Sequence, residues 1–530
     1  MVLLLEAIGS VCAQNKADNS SDKQSIVQLQ KLMQVYRYLD KMYVEDVDMQ
    51  PIVEEAIRGM LAELDPHSSY LDAEEMKAAQ ESSRGEFGGI GVEYNMHNDT
   101  VIVVNTLPQG PAASVGVRPN DRIVEVDGKN IVGIKRSEVP RLLRGERGSV
   151  VNVGVMRRGE PQMLNFSITR GNIPITTVDA AYKVSDSIAY VKVNRFGHTT
   201  MQEFREAMAK MPNVETLILD LCGNGGGLLN QAVEMAGYFL PKGSLVLTTE
   251  ERSMPVKEFR SSGEQEFQGR VIVLIDESSA SGSEVVAGAL QDWDRALVVG
   301  RNSYGKGLVQ REIPFSDGSA IRLTVARYHT PSGRVIQRPY KLGHKEDYDK
   351  AFVERLRQAA SGVDSLQQDS VELPRYVTLQ NGRTIYGGGG IAPDVRVSVD
   401  TTRVSGYASK LIMQGVNVDF VVEYMDKNRQ SLAAQYPTFE KFEAEFALSD
   451  DDMQKLVELA TAKGIEFNQA EYESSLELLR ARLTAQIAHQ LFTMSEFYQY
   501  INVRANASFK TALRLARNWR SEVDPLLEAK

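Results

Sequence analysis

The sequence predicts a multidomain α/β protein with helical N- and C-terminal regions, and three observations carry that prediction. At 530 residues the chain is too long for one core and long enough for three or four domains. Between residues 188 and 335, strand patterns alternate with amphipathic helices, as in a mostly parallel sheet covered by helices. Before residue 64 and after residue 401, apolar residues recur at helical spacing with little strand signal. Apolar residues make up 42% and charged residues 25%, which excludes a disordered chain, a collagen-like fibre and a polytopic membrane protein. A net charge of −10 without a long basic run argues against nucleic acid as a partner, since phosphate contacts need clustered Lys and Arg. Two cysteines, Cys12 and Cys222, exclude a disulfide framework and a four-cysteine zinc site.

Taken in order, Met1 to Ala13 is apolar apart from Glu6 and ends in Val11-Cys12-Ala13, a pattern like a signal-peptidase site. No Lys or Arg precedes the apolar run, and the run is short. The reading is an exported protein, periplasmic or associated with the cell envelope, with residues 1–13 as the signal peptide. Residues 14–84 form a helical region: Ile26, Leu29, Leu32, Met33, Tyr36 and Leu39 mark one helix, and Pro51 opens a second. Residues 85–171 are glycine-rich and alternate as short strands around two short helices, one compact β-rich module. Residues 172–400 hold the α/β core with a charged insertion near 338–375, and 172–187 reads as a hinge by composition. Residues 401–530 are helical almost throughout.

Three segments carry the chemistry. Asp220-Leu221-Cys222-Gly223-Asn224-Gly225-Gly226-Gly227 follows a buried strand, and its glycines free backbone N–H groups to face an anion. A dinucleotide loop is excluded because Leu228 stands where a third glycine belongs. The turn Ser278-Ser279-Ala280-Ser281-Gly282-Ser283-Glu284 supplies four serines, where capping needs one, and its small neighbours leave a hydroxyl accessible. Ser303-Tyr304-Gly305-Lys306-Gly307 sets a lysine between glycines after a buried strand. Gly300 to Lys306 fits GxxxxGK, yet Gly307 replaces the magnesium-binding Ser/Thr and a strand follows. Ser303-x-x-Lys306 fits SxxK without its partner motifs. No HExxH and no GxSxG occurs, so what remains is a serine with a lysine. A lysine serves as base only when burial lowers its pKa by several units. No acid lies within 302–310.

LDPHSSYL, GGIGVEY, LILDLCGNGGGLL, SSASGSEVVAGAL, SYGKGLVQ, ARYHTPSGR and GGIAPDV follow one another in this order. The chain thereby resembles the C-terminal processing (tail-specific) serine proteases that carry a PDZ domain. The resemblance implies a crotonase/Clp-protease-like α/β core with the PDZ domain at 85–171. It implies Ser281 as nucleophile, Lys306, twenty-five residues later, as base, and Gln310 holding the lysine amine. Gly282 and Gly226 would supply the oxyanion-hole N–H groups, with Ser279 and Ser283 as capping or loop residues. Gly89, Ile90, Gly91 and Val92 correspond to the PDZ loop that captures a terminal carboxylate, the adjoining strand edge pairing with the peptide. The family usually has Arg where this chain has Cys222, which puts the geometry of the second oxyanion donor in question; Cys222 itself reads as a small buried residue. No metal or other cofactor is implied. The implied partners are proteins or peptides with accessible apolar C-termini, an activating adaptor and a second copy of the chain. The competing readings are an inactive scaffold whose PDZ domain binds C-termini, and a peptidoglycan-directed Ser–Lys acylase using Ser303.

Overall fold

The structure, a computed structural model, describes residues 19–97, 99–360, 373–398 and 404–528. The cleavage-site pattern at Val11-Cys12-Ala13 and part of the charged insertion lie outside the described residues. The chain divides into two units, Met1–Leu64 and Asp65–Lys530.

The smaller unit contains two helices, Asn19–Met42 and Met49–Ala62. Asp48 caps the second, its carboxylate accepting from Gln50 N–H at 3.0 Å, and Pro51 falls in the first turn, where its missing N–H costs no helix bond. The predicted apolar stripe is present, and Ile26, Leu29, Leu32, Met33 and Tyr36 are all exposed.

The larger unit is built on a six-stranded sheet. Its order is Val178–Lys183, Ile188–Val193, Thr216–Asp220, Arg270–Ile275, Leu297–Gly300 and Val395–Arg396, with the first pair antiparallel and the rest parallel. The strands are apolar on both sides because both faces are covered. Ala189, Val191 and Val193 face helices Thr200–Ala209, Leu229–Phe239 and Gly282–Asp292. Ile188 and Tyr190 face the opposite way, against Phe509, Ala512, Leu515 and Trp519 of the C-terminal segment. A second, antiparallel sheet joins Ser69–Leu71, Ala320–His329, Leu245–Glu251 and Lys257–Arg260, with Leu308–Pro314 paired to Ala320–His329. The stretch 172–187 is not a hinge: Val178–Lys183 is an edge strand of the core sheet, with Ala180 buried. Composition misleads there because strand pairing, not side-chain polarity, holds the segment.

The β-rich module folds around Val101, Val103, Ile123, Val153 and Ile168, on a sheet ordered Val92–His97, Thr100–Thr106, Arg122–Val126, Val150–Met156, Leu164–Thr169. Val92–His97 is therefore an edge strand. Helix Val416–Gln435 of the C-terminal helical region packs against this module. Asn120 Nδ2 donates to the Met425 carbonyl at 3.0 Å, Arg122 pairs with Asp426 at 3.1 Å, and His97 Nδ1 meets Asp419 Oδ1 at 3.0 Å. Arg429 adds a bond to the Val104 carbonyl at 3.2 Å. The module is thus held on a face of its own and does not hang on two linkers.

Candidate active site

The glycine loop begins where buried strand Thr216–Asp220 ends. Asp220 accepts the Cys222 N–H at 2.8 Å and Lys192 Nζ at 3.1 Å, and Lys192 also donates to the Cys222 carbonyl. The turn that carries Cys222 is therefore organised by a buried Lys–Asp pair. Burial pushes the Cys222 thiol pKa well up, which keeps it protonated and un-nucleophilic. Asn224, fully buried, ties this loop to the serine turn: its carbonyl accepts Ala280 N–H at 2.9 Å and Ser283 Oγ at 2.8 Å.

Ser281 stands at the N-terminus of helix Gly282–Asp292 with φ +53° and ψ −111°, a conformation that costs a non-glycine residue about 1–3 kcal/mol. Three other serines are committed elsewhere. Ser279 donates to the Leu221 carbonyl at 2.9 Å, Ser283 to Asn224, and Ser303 to Glu284, all three fully buried. Gly226 lies against Ser281, close enough that a Cβ added to it would stand 2.7 Å from Ser281 Cβ, so only glycine fits there.

The oxyanion assignment needs one correction. Gly282 N–H opens the helix and has no intrahelical acceptor. Gly226 N–H, however, donates to Asn224 Oδ1 at 2.8 Å and is not free for an oxyanion. Among the described residues the next amide, Gly227 N–H, has no acceptor; the bridge to Phe196 uses the Gly226 carbonyl and the Leu228 N–H.

Glu284 organises the site, and sequence reasoning passed over it although Ser281-x-x-Glu284 has the form of a capping box. Its carboxylate is fully buried and accepts Ser281 N–H (2.9 Å), Gly305 N–H (2.7 Å), Lys306 N–H (2.9 Å) and the Ser303 hydroxyl. Burial raises its pKa, and the four donors pull it back. One carboxylate thus clamps the serine turn and the lysine loop. Tyr328 Oη closes the same joint, donating to the Lys306 carbonyl at 2.6 Å, with the Ser281 carbonyl 3.3 Å away.

Ser281 and Lys306 line one cleft of about 610 Å³ together with Gly226, Gly282, Gln310 and Arg322. Lys306 Nζ has no hydrogen bond or ion pair among the described residues. Burial lowers its pKa, the positive charge of Arg322 lowers it further, and Glu284 and Asp65 act the other way. The local sequence lacks acids, but the fold brings two carboxylates near; desolvation still prevails.

The LDPHSSYL segment also comes to this place, which nothing local in its sequence announces. Asp65 is buried beneath Thr324, and His67 lies near enough to Lys306 to feel its charge. Desolvation first, and Lys306 second, lower the His67 pKa to about 4, so the ring is neutral at pH 7. Gln310 does not bond the lysine; its Nε2 donates to Thr324 Oγ1 at 3.2 Å. The Gly89–Val92 loop lies in the β-rich module, away from the cleft lining, with Gly91 at φ +75°. The carbonyls of Ile90 and Gly91 are taken by Ala112 N–H and Leu107 N–H, both at 2.8 Å. No group of three or more metal-ligating side chains occurs among the described residues.

Comparison with known proteins places the chain. Residues 187–349 match Peptidase family S41, 88–168 a PDZ domain, 6–75 the N-terminal domain of the activating protease CtpB, and 407–493 a family of unknown function. Over 342 residues the chain is 38% identical to a carboxy-terminal-processing protease of Bartonella bacilliformis, spanning 63% of this chain and 78% of that protein. Over 429 residues it is 34% identical to the carboxy-terminal processing protease CtpB of Bacillus subtilis, 79% of this chain and 84% of that one. A solved structure of a photosystem II D1 C-terminal processing protease is 31% identical, covering 63% of this chain and 90% of that chain at a TM-score of 0.35. The chain belongs to the carboxy-terminal processing proteases of Peptidase family S41. It is a serine-type peptidase with a PDZ domain.

Proposed function

We propose that this protease cuts protein substrates near their C-termini with Ser281 as nucleophile and Lys306 as general base. The observation that carries the reading is the Glu284 clamp, which binds the backbone of both residues on one cleft. Neutral Lys306 takes the proton of Ser281 Oγ as the oxygen attacks the scissile carbonyl. The helix-opening N–H of Gly282, with that of Gly227, faces the developing oxyanion. The lysine, now charged, protonates the leaving amine, and water repeats the cycle on the acyl-enzyme. Gln310 serves to orient the lysine amine. The burial of Ser303 and its bond to Glu284 weigh against the acylase reading.

The PDZ domain takes the substrate's terminal carboxylate on the Gly89–Val92 loop, and the substrate strand adds to the sheet edge at Val92–His97. A gating motion of this domain would have to act against its hold by helix Val416–Gln435. An activating adaptor, self-association and export to the cell envelope complete the proposal.

Mass spectrometry of a peptide with an apolar free C-terminus tests it. Wild type should cleave the peptide, Ser281→Ala should not, and Ser279→Ala should remain active. The amidated peptide should be cut much more slowly by wild type. If Ser281→Ala stays active, or if both peptides are cut equally fast, the corresponding half of the proposal falls. A wild type that neither cleaves nor reacts with a small phosphonate would support the inactive-scaffold reading instead. Gly91→Glu is a poor probe, because Gly91 has positive φ and its added Cβ would meet Ile173 at 3.2 Å and Leu107 at 3.3 Å.

A further inference from the structure

The LDPHSSYL motif finds no role in the dyad itself, yet it forms a hydrogen-bonded line that ends at Gln310. The turn is built on Asp65, whose Oδ1 accepts His67 N–H at 2.9 Å and Ser68 N–H at 3.1 Å, and whose Oδ2 accepts the Ser68 hydroxyl at 2.5 Å. Ser68 Oγ in turn accepts Thr324 N–H at 3.1 Å, fixing the turn against strand Ala320–His329. Thr324 Oγ1 lies 2.8 Å from Asp65 Oδ1, and Gln310 Nε2 lies 3.2 Å from Thr324 Oγ1. Gln310 and Thr324 are also direct cross-strand partners.

The direction of each bond follows from its chemistry. Burial works to raise the Asp65 pKa, but these donors together outweigh it and hold the carboxyl below its ordinary value, so it is ionised at neutral pH and accepts only. The Thr324 hydroxyl must spend its single proton on Asp65. Its remaining lone pairs then admit a donor and repel an acceptor, which forces the –NH₂ end of Gln310 toward Thr324. The opposite end, Oε1, is left for the cleft that Lys306 lines. An amide of the reverse polarity would set two oxygens against each other at Thr324. A neutral lysine amine needs an acceptor for one of its N–H bonds if its lone pair is to point at a serine; Oε1 is such an acceptor.

We propose that Asp65 and Thr324 are positioning residues that set the polarity of the Gln310 amide, so that its carbonyl oxygen is presented to the base Lys306. The proposal rests on the reading of Lys306 as base and Gln310 as its orienting partner. Asp65 and Thr324 set the amide polarity only through Gln310; separately, the charge of Asp65 raises the Lys306 pKa directly.

The test is a double-mutant cycle on peptide cleavage by the full chain. Thr324→Val removes the hydroxyl at constant shape and should lower kcat about tenfold, the effect of one well-placed hydrogen bond, with KM little changed. Thr324→Ser restores the hydroxyl and should restore activity to within about threefold. Gln310→Ala should lose as much as Thr324→Val, and the double variant should lose no more than either. Once Oε1 is no longer presented to Lys306, the ammonium form loses an acceptor, so the acid limb of kcat/KM should move to lower pH in Thr324→Val and Gln310→Ala alike. Asp65→Ala, read at a pH above the acid limb and on protein whose unfolding midpoint has been measured, should add nothing to the kcat loss of Thr324→Val. Below that pH the lost Asp65 charge moves the acid limb further down by itself. Multiplying losses in the double variant would overturn the proposal, as would full activity in Thr324→Val beside an impaired Gln310→Ala. If Gln310→Ala itself equals wild type, the role of Gln310 fails and the line of positioning residues with it, while Ser281→Ala and Lys306→Arg judge the dyad separately.

Discussion

Replacing Glu284 by Gln changes one atom of the clamp and yields separable effects on stability and on pH dependence. Oε1 accepts from Gly305 N–H and Ser303 Oγ, and Oε2 from Ser281 N–H and Lys306 N–H. A glutamine can keep only one oxygen. With its –NH₂ at the Oε2 place it would strand two backbone donors. With –NH₂ at the Oε1 place it strands Gly305 N–H and leaves the Ser303 proton without an acceptor, because an amide nitrogen donates and does not accept. The second orientation is the less costly, at about 2–4 kcal/mol for a stranded donor and a lost charge-assisted bond in a fully buried site. It also keeps Ser281 and Lys306 on the remaining oxygen, so the variant should retain measurable cleavage.

Removing the negative charge lowers the Lys306 pKa further, since Glu284 is one of the two groups that raise it. The acid limb of kcat/KM should therefore shift to lower pH. Both tryptophans, Trp293 and Trp519, pack on the core sheet, one on each face, so fluorescence during urea unfolding reports the stability change directly. An unshifted or upward-shifted acid limb, or a stability equal to wild type, would refute the clamp.

Other outcomes follow from the same geometry. Lys306→Arg should abolish cleavage although the charge is kept, because guanidinium cannot act as a base in this range; wild-type activity should rise with pH through the lowered lysine pKa, and a flat profile from pH 5 to 9 would count against a lysine base. His67 has a folded pKa of about 4 against 6.5 unfolded, so the unfolded state binds the proton first as pH falls. Stability should therefore decline from about pH 6.5 to about pH 4, by at most about 3 kcal/mol, and His67→Phe should remove that part of the slope in pH-dependent unfolding. Arg122→Glu sets like charge against Asp426 and should loosen the PDZ domain from helix Val416–Gln435, seen as faster amide exchange along that helix, with phosphonate labelling of Ser281 unchanged. Unchanged exchange would mean that this ion pair does not hold the domain.

Much of the fold was legible because it is written in local periodicity. The alternation of Ile188–Val193 and Arg270–Ile275 with amphipathic helices is a property of short windows, and it led to a two-sided sheet. Leu245–Glu251 and Lys257–Arg260 escaped notice because Thr, Glu, Lys and Arg make up much of them and do not read as strand, although Val246, Leu247 and Thr249 are buried. The serine turn, the glycine loop and Lys306 stood out because small residues crowd places where the backbone must approach closely, and Gly226 shows that crowding directly.

The sequence by itself determined most of the helices and strands, and its resemblance to the tail-specific proteases pointed to Ser281 and Lys306 as the pair to set together. Tertiary structure alone decided that Phe509 and Leu515 cover the far face of the sheet, that Asp65 reaches Thr324 across some 260 residues, and that the Asn224 carbonyl meets the Ser283 hydroxyl of the serine turn. The division has a physical cause. Periodicity reflects φ/ψ and side-chain direction, which neighbouring residues settle between themselves. Which distant donor meets which buried acceptor is settled only when the core closes and every polar group it traps must find a partner.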